Sequence, residues 1–217
     1  MRIRFDRRLA AGMALISLLA APGCISVLPE AEPDTLYRLA TPDLGGAGPA
    51  DGAATVIVAR MSAPRGLAGD RIAIQRGDRI AYMAGAAWLS PAPDLLHSAI
   101  IDAFHASAPV VAAAEATDGV TARFELDLQL RHFEAVYDSG EGAAPLARVG
   151  YRARLIDRDT RALVEARSIA VDARAGANRQ GEIVAAFSRA SAGAARQLAE
   201  WTGAAVCDVE DAPEACG

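Results

Sequence analysis

From Phe124 to Arg131 apolar and polar side chains alternate without a break, Phe124, Leu126, Leu128 and Leu130 against Glu125, Asp127, Gln129 and Arg131. Successive side chains of an extended strand point to opposite faces, so this run must bury one face and wet the other. Thr121–Tyr137 therefore reads as a strand on the wall of an apolar core. Two further strand segments follow, Leu146–Asp157 and Ala162–Arg174, joined by the turn Asp157-Arg158-Asp159-Thr160. Antiparallel neighbours connected this closely form a meander.

The rest of the chain must cover the apolar face of that sheet. Leu95, Leu96, Ala99, Ile100, Ala103 and Phe104 recur at helical spacing in residues 90–107 and make one stripe, with Ser90-Pro91 as the helix start. Arg179–Thr202 repeats the device: Ile183, Phe187, Ala190, Ala194, Leu198 and Trp201 step by three or four, with Asn178 as the candidate cap and Gly203 as the stop. Upstream, Leu36–Leu39 and Thr55–Met61 read as strands, Arg71–Gln75 and Arg79–Met83 as a hairpin about Arg76-Gly77-Asp78, and Pro109–Ala114 as a short strand. Each helix has one apolar stripe and should lie on the sheet. The expected fold is α+β, a two-layer domain in which a mostly antiparallel or mixed sheet packs with two main amphipathic helices.

The N-terminus has a different grammar. Residues 1–8 hold four arginines, Leu9–Ala21 is apolar, and Pro22-Gly23-Cys24 follows at once. A basic head, a short apolar run and small residues before a cleavage point make an export signal. The apolar run is about 13 residues, short of the roughly 20 a spanning helix needs. A cysteine directly after such a run marks a bacterial lipoprotein box, Leu19-Ala20-Ala21-Pro22-Gly23-Cys24, in which Cys24 is the lipid-attachment site. Multiple acyl chains, at about 0.8 kcal/mol per buried methylene, hold such a protein durably at a bilayer. Ile25 in place of aspartate after the cysteine favours the outer membrane, in its inner leaflet and facing the periplasm. The expected organisation is a signal peptide over 1–23, a lipid-anchored tether over 24–34, the α+β domain over 35–203 and an acidic tail over 204–217. Thr41–Ala53 reads as a second flexible stretch.

Few residues here carry chemistry. The chain has a net charge of −5 and no lysine, and no basic stripe follows the signal, so nucleic acid is not an expected partner. The three histidines are His97, His105 and His132; the first two, eight apart on the polar side of the expected helix, lack a carboxylate or cysteine at ligand spacing, so no metal or other cofactor is expected and the histidines read as solvated. Asp157 and Asp159 are better explained as turn formers than as a catalytic pair, because aspartate bonds its own turn backbone. Cys207 and Cys216 are a candidate disulfide in the tail, worth on the order of 2–3 kcal/mol by loop-closure entropy. No catalytic constellation is visible, and the chain is not expected to be an enzyme.

Beyond the lipoprotein signal, Tyr37-Arg38-Leu39 follows the tether, Val56-Ile57-Val58 leads to Pro64 and Leu67, and Arg71-Ile72 opens the next strand. Tyr82 and Trp88-Leu89-Ser90-Pro91 then precede the first helix, and the long terminal helix closes the domain. In these features and their order the chain resembles the ABC-type transport auxiliary lipoproteins, which include the lipoprotein component of Pqi-type systems. Ser90 stands where the family often has an acidic residue before the proline. The resemblance implies a non-enzymatic accessory subunit of an intermembrane lipid or solvent-exclusion transport system. Its partners would be an MCE-domain protein and ABC permease and ATPase components, and a homo-oligomeric ring would suit such a conduit. The competing expectation is another envelope lipoprotein adaptor, such as a regulator of peptidoglycan synthesis or secretion. Tyr37, Trp88 and Pro91 read as fold packing and helix entry.

Overall fold

The alternating segment is the spine of the molecule. The computed structural model describes residues 33–40, 48–107 and 110–209. Their elements run β1 (Thr35–Tyr37), β2 (Ala54–Val58), β3 (Arg71–Arg76), β4 (Arg79–Trp88), α1 (Ala92–Ser107), β5 (Val111–Glu115), β6 (Phe124–Val136), β7 (Leu146–Asp157), β8 (Ala162–Arg174) and α2 (Gln180–Val209). All eight strands join one mixed sheet. β6 pairs antiparallel with β7 along one edge, and β7 pairs antiparallel with β8. Along its other edge β6 takes two parallel partners end to end, β2 at Phe124–Leu126 and β3 at Glu134–Val136. Between them Ser62 bridges to Gln129. β5 extends the sheet beyond β2, while β4 and then β1 extend it beyond β3.

The inward alternation of β6 survives a break. Register shifts between Leu130 and His132, where Arg131 and His132 are both exposed, and Phe133 and Ala135 then take up the buried face. One extra residue resets the alternation, as a β-bulge must. Glu134 closes the bulge: one carboxylate oxygen accepts the Phe133 amide at 2.6 Å and the other lies 2.8 Å from His132 Nδ1. Gly150 faces the bulge because a Cβ there would stand 3.0 Å from the His132 ring.

The helices cover one face of the sheet. α2, about 45 Å long at 1.5 Å per residue, buries Ile183, Phe187, Ala190, Ala194, Leu198, Trp201 and Ala205. Phe187 closes an aromatic cluster with Trp88 and Phe133, ring centroids 4.8–5.2 Å apart. α1 differs from expectation: it packs chiefly against α2 and β5 rather than broadly on the sheet. Its first amide, Ala92 N, donates to Gly69 O, and the Pro91 carbonyl starts the helical ladder.

Two expected helix ends are corrected. Asn178 does not cap α2, because its side chain accepts from Tyr137 Oη and donates to the Glu141 carbonyl. Gly203 does not stop α2, which continues to Val209 with Ala205 and Val206 buried. The glycine serves close approach instead: a Cβ there would meet Val110 Cγ2 at 3.1 Å. Residues 204–209, expected in an acidic tail, are thus the last turns of a packed helix.

Candidate functional site

Cys24 and Cys216 lie outside the described residues. Cys207 sits near the end of α2 and is disulfide-bonded. Among the described residues no helix is long and apolar enough to cross a membrane.

The titratable groups are mostly engaged in holding the fold. Asp157 Oδ1 accepts the amides of Asp159 and Thr160, while Oδ2 takes the Arg123 guanidinium at 2.9 Å. The Thr160 amide first, and then Arg123, hold its carboxyl below the usual aspartate range. Arg148 does the same for Asp172 through two hydrogen bonds at 2.7–2.8 Å. Arg174, by a paired hydrogen bond, brings Asp138 down to about 2. Tyr151 is fully buried, and burial alone pushes its phenol up. These are charge pairs and turn locks that tie the sheet strands and their connecting turns together.

The histidines divide. His105 is exposed and His132 belongs to the bulge. His97, expected on a solvated face, is instead tucked against β5, 3.7 Å from Glu115, with its Nδ1 buried and unpartnered. The spacing along the sequence could not show this, since Glu115 comes from the next strand. Among the described residues no group of three His, Cys, Asp or Glu side chains is placed to hold a metal ion.

The feature most like a ligand site is an apolar cleft of about 350 Å³ between α1 and α2. Its walls are Leu95 and Ala99 from α1 and Ser191 and Ala192 from α2, and Arg38 and Leu39 lie at its rim. The segment after β1 is fixed there by three bonds. Tyr37 Oη donates to Gln180, the Leu89 amide donates to the Tyr37 carbonyl, and the Ala40 amide donates to Ser188 Oγ. Tyr37 and Trp88 therefore do pack the fold, one by stapling β1 to α2 and one by filling the aromatic cluster. Sequence periodicity did not reveal the cleft. Its trace is that six of the helix positions lining it are alanine or serine, beside Leu95, Asp102 and Arg196.

The family described as the ABC-type transport auxiliary lipoprotein component matches residues 37–199. This chain belongs to that family. Solved relatives of the auxiliary lipoprotein include a Xanthomonas campestris protein of the DUF330 family, at 24% identity, covering 81% of this chain and 98% of its own, with a TM-score of 0.69. An uncharacterized protein follows at 16% identity, 79% and 99% coverage and a TM-score of 0.63. A hypothetical protein of Chlamydia trachomatis shares 11% identity, 72% and 99% coverage and a TM-score of 0.50. At such identities the likeness carries the fold and nothing more. No curated protein matches the auxiliary lipoprotein's sequence.

Proposed function

We propose that this auxiliary lipoprotein is a non-enzymatic accessory subunit of an MCE/ABC-type intermembrane lipid or solvent-exclusion transport system. In this reading it is lipidated at Cys24 and held at the inner leaflet of the outer membrane, facing the periplasm. The observation that carries the reading is the family match over residues 37–199, preceded by the cysteine box at 19–24. The site chemistry supports a binding role: carboxylates such as Asp157, Asp172 and Asp138 are committed to amides and arginines within the fold.

The anchor fixes the geometry of the role. Residues 25–34 reach at most about 33–36 Å when fully extended, so the domain works near its bilayer and presents surfaces to subunits there. Two measurements test this. Cys24→Ala should move the protein from the membrane pellet to the soluble periplasmic fraction; a variant that still pellets unchanged removes the anchor. Cross-linking in intact cells, followed by affinity capture of the native lipoprotein, should retain an MCE-domain protein together with permease or ATPase subunits. Recovery of peptidoglycan synthases or secretion subunits in their place assigns the chain to another envelope adaptor.

A further inference from the structure

The face of the sheet opposite the helices carries its charges in rows across β6, β7 and β8. Directly opposed residues of antiparallel strands share a face, with Cβ atoms about 4.5–5.5 Å apart. One row is Glu134, Arg148 and Asp172, and another sets Asp127 against Arg154. Each of these arginines has its acid: Arg148 bonds Asp172 at 2.7–2.8 Å, and Arg154 Nε bonds Asp127 at 2.8 Å. Between them lies the row Gln129, Arg152 and Ser168, which holds no carboxylate.

A second arginine is brought to the same place. Arg131 Nη1 donates to Gln129 Oε1 at 3.3 Å, and Gln129 is the residue directly opposite Arg152. Arg131, Arg152 and residues 166–168 of β8 line one cavity of about 280 Å³. β6 and β7 contribute four arginines, and Arg131 and Arg152 are the two without an ion pair among the described residues. The carboxylates nearby are engaged: Asp127 by Arg154, Asp172 by Arg148, and Glu134 by His132 and the Phe133 amide. What the cavity offers is therefore donors. Both guanidiniums are exposed, and arginine keeps its charge at any physiological pH. Gln129 has given its oxygen to Arg131, so its NH2 is left to donate, and the exposed Ser168 adds a hydroxyl. Two like charges at one cavity repel, and an anion with several acceptor oxygens removes that repulsion while using the donors.

We propose that Arg131 and Arg152, with Gln129 and Ser168, form a binding site for a phosphate monoester, met either as free phosphate or as the terminal phosphate of a lipid headgroup. Such a group carries about −1.5 to −2 charge at pH 7 and three strong acceptor oxygens. That matches two guanidiniums and two neutral donors, whereas a carboxylate brings one charge and two oxygens. The planar fork of arginine bonds phosphate oxygens in pairs, and hydrogen bonds with an ionised partner are about twice as strong as neutral ones. The site stands whether or not the transport partners are the ones proposed above.

The test is calorimetric titration of the full chain, purified in an uncharged detergent, with inorganic phosphate and with glycerol 3-phosphate. Both probes should bind the parent. Arg131→Gln and Arg152→Gln should each weaken both by about 10–100-fold, the range of one charge-assisted hydrogen bond. Arg79→Gln removes the same charge from outside the cavity and should leave both affinities within about two-fold, since exposed charges at a distance are screened. All three arginines are exposed, so thermal melting should match the parent's and tie any loss to the site. Tighter binding of glycerol 3-phosphate than of phosphate assigns the source to a lipid headgroup, and equal binding assigns it to free phosphate. Acetate that binds as tightly as phosphate overturns the proposal, because the site would then read a lone carboxylate such as an acidic peptide's. No binding of either probe up to about 10 mM overturns it too, as do affinities that the two cavity variants share with the parent or with Arg79→Gln.

Discussion

The middle of α2 shows two different neighbours to the same stretch of helix. Towards β8 it is seated without slack: a Cβ at Gly193 would stand 3.2 Å from Val171 Cγ1, and Ala190 and Ala194 on either side are fully buried. Towards α1, one residue away, Ser191 and Ala192 face an open cleft. Small residues do opposite things on the two sides. Against the sheet they let backbones approach until the space is used up. Against α1 they leave the space unfilled, because α1 also offers alanine there. Small helix residues stand on both sides, and the partner surface decides between close packing and a cavity.

The strongest way to break that contrast is to loosen the packed side. Phe187 lies six residues before Gly193, fully buried against Trp88 and Phe133. Phe187→Ala should cost about 3–5 kcal/mol in chemical unfolding. A loss below 1 kcal/mol would mean the sheet side is no better packed than the cleft. Gly193→Val adds volume where none remains and should cost about 1–3 kcal/mol through overpacking, read as a lower denaturant midpoint at unchanged slope.

Acid sharpens the contrast, because the sheet's outer face carries the charge pairs. Arg148–Asp172 and Arg174–Asp138 hold carboxylates whose folded values lie below their unfolded ones. A depressed carboxylate contributes stability above its unfolded value, near 3.9, and loses it as pH falls through the folded value. Stability should therefore hold above about pH 5 and decline as pH falls from about 4 towards 2. Arg148→Met should shallow that decline. At neutral pH it should cost only about 0.5–1 kcal/mol, as a partly exposed pair does. An acid limb unchanged in that variant would locate the titration elsewhere.

Much of the packed side was legible in the residues themselves. Phe124, Leu126, Leu128 and Leu130 announce β6, the bounds of β7 and β8 follow from their turns, and the stripe Ile183–Trp201 announces α2. These signals are local, set by a period of two or of 3.6. What failed were features decided by contacts distant in sequence. Gly203 looks like a helix stop until Val110 is seen against it, Asn178 looks like a cap until Tyr137 and Glu141 claim it, and His97 looks solvated until Glu115 arrives beside it. The cleft belongs to this second group. Alanine and serine on a helix do not say whether their partner will come close.

The smallest expected effect is therefore the most discriminating. Ala192 is only half-buried and borders the cleft, so Ala192→Val has room for its added methyl groups without displacing a neighbour. Substitution away from tight contacts usually shifts stability by no more than about 0.5 kcal/mol either way. Valine in place of alanine within a helix costs about 0.5 kcal/mol through lost rotamer freedom, and burying its methyl groups in the cleft offsets the loss. The same valine one position along, at Gly193, has Val171 in its way. Paired unfolding curves for the two variants thus read the difference between the two sides of one helix. If Ala192→Val were as costly as Gly193→Val, the cleft would be closed in solution and α2 would have two packed sides.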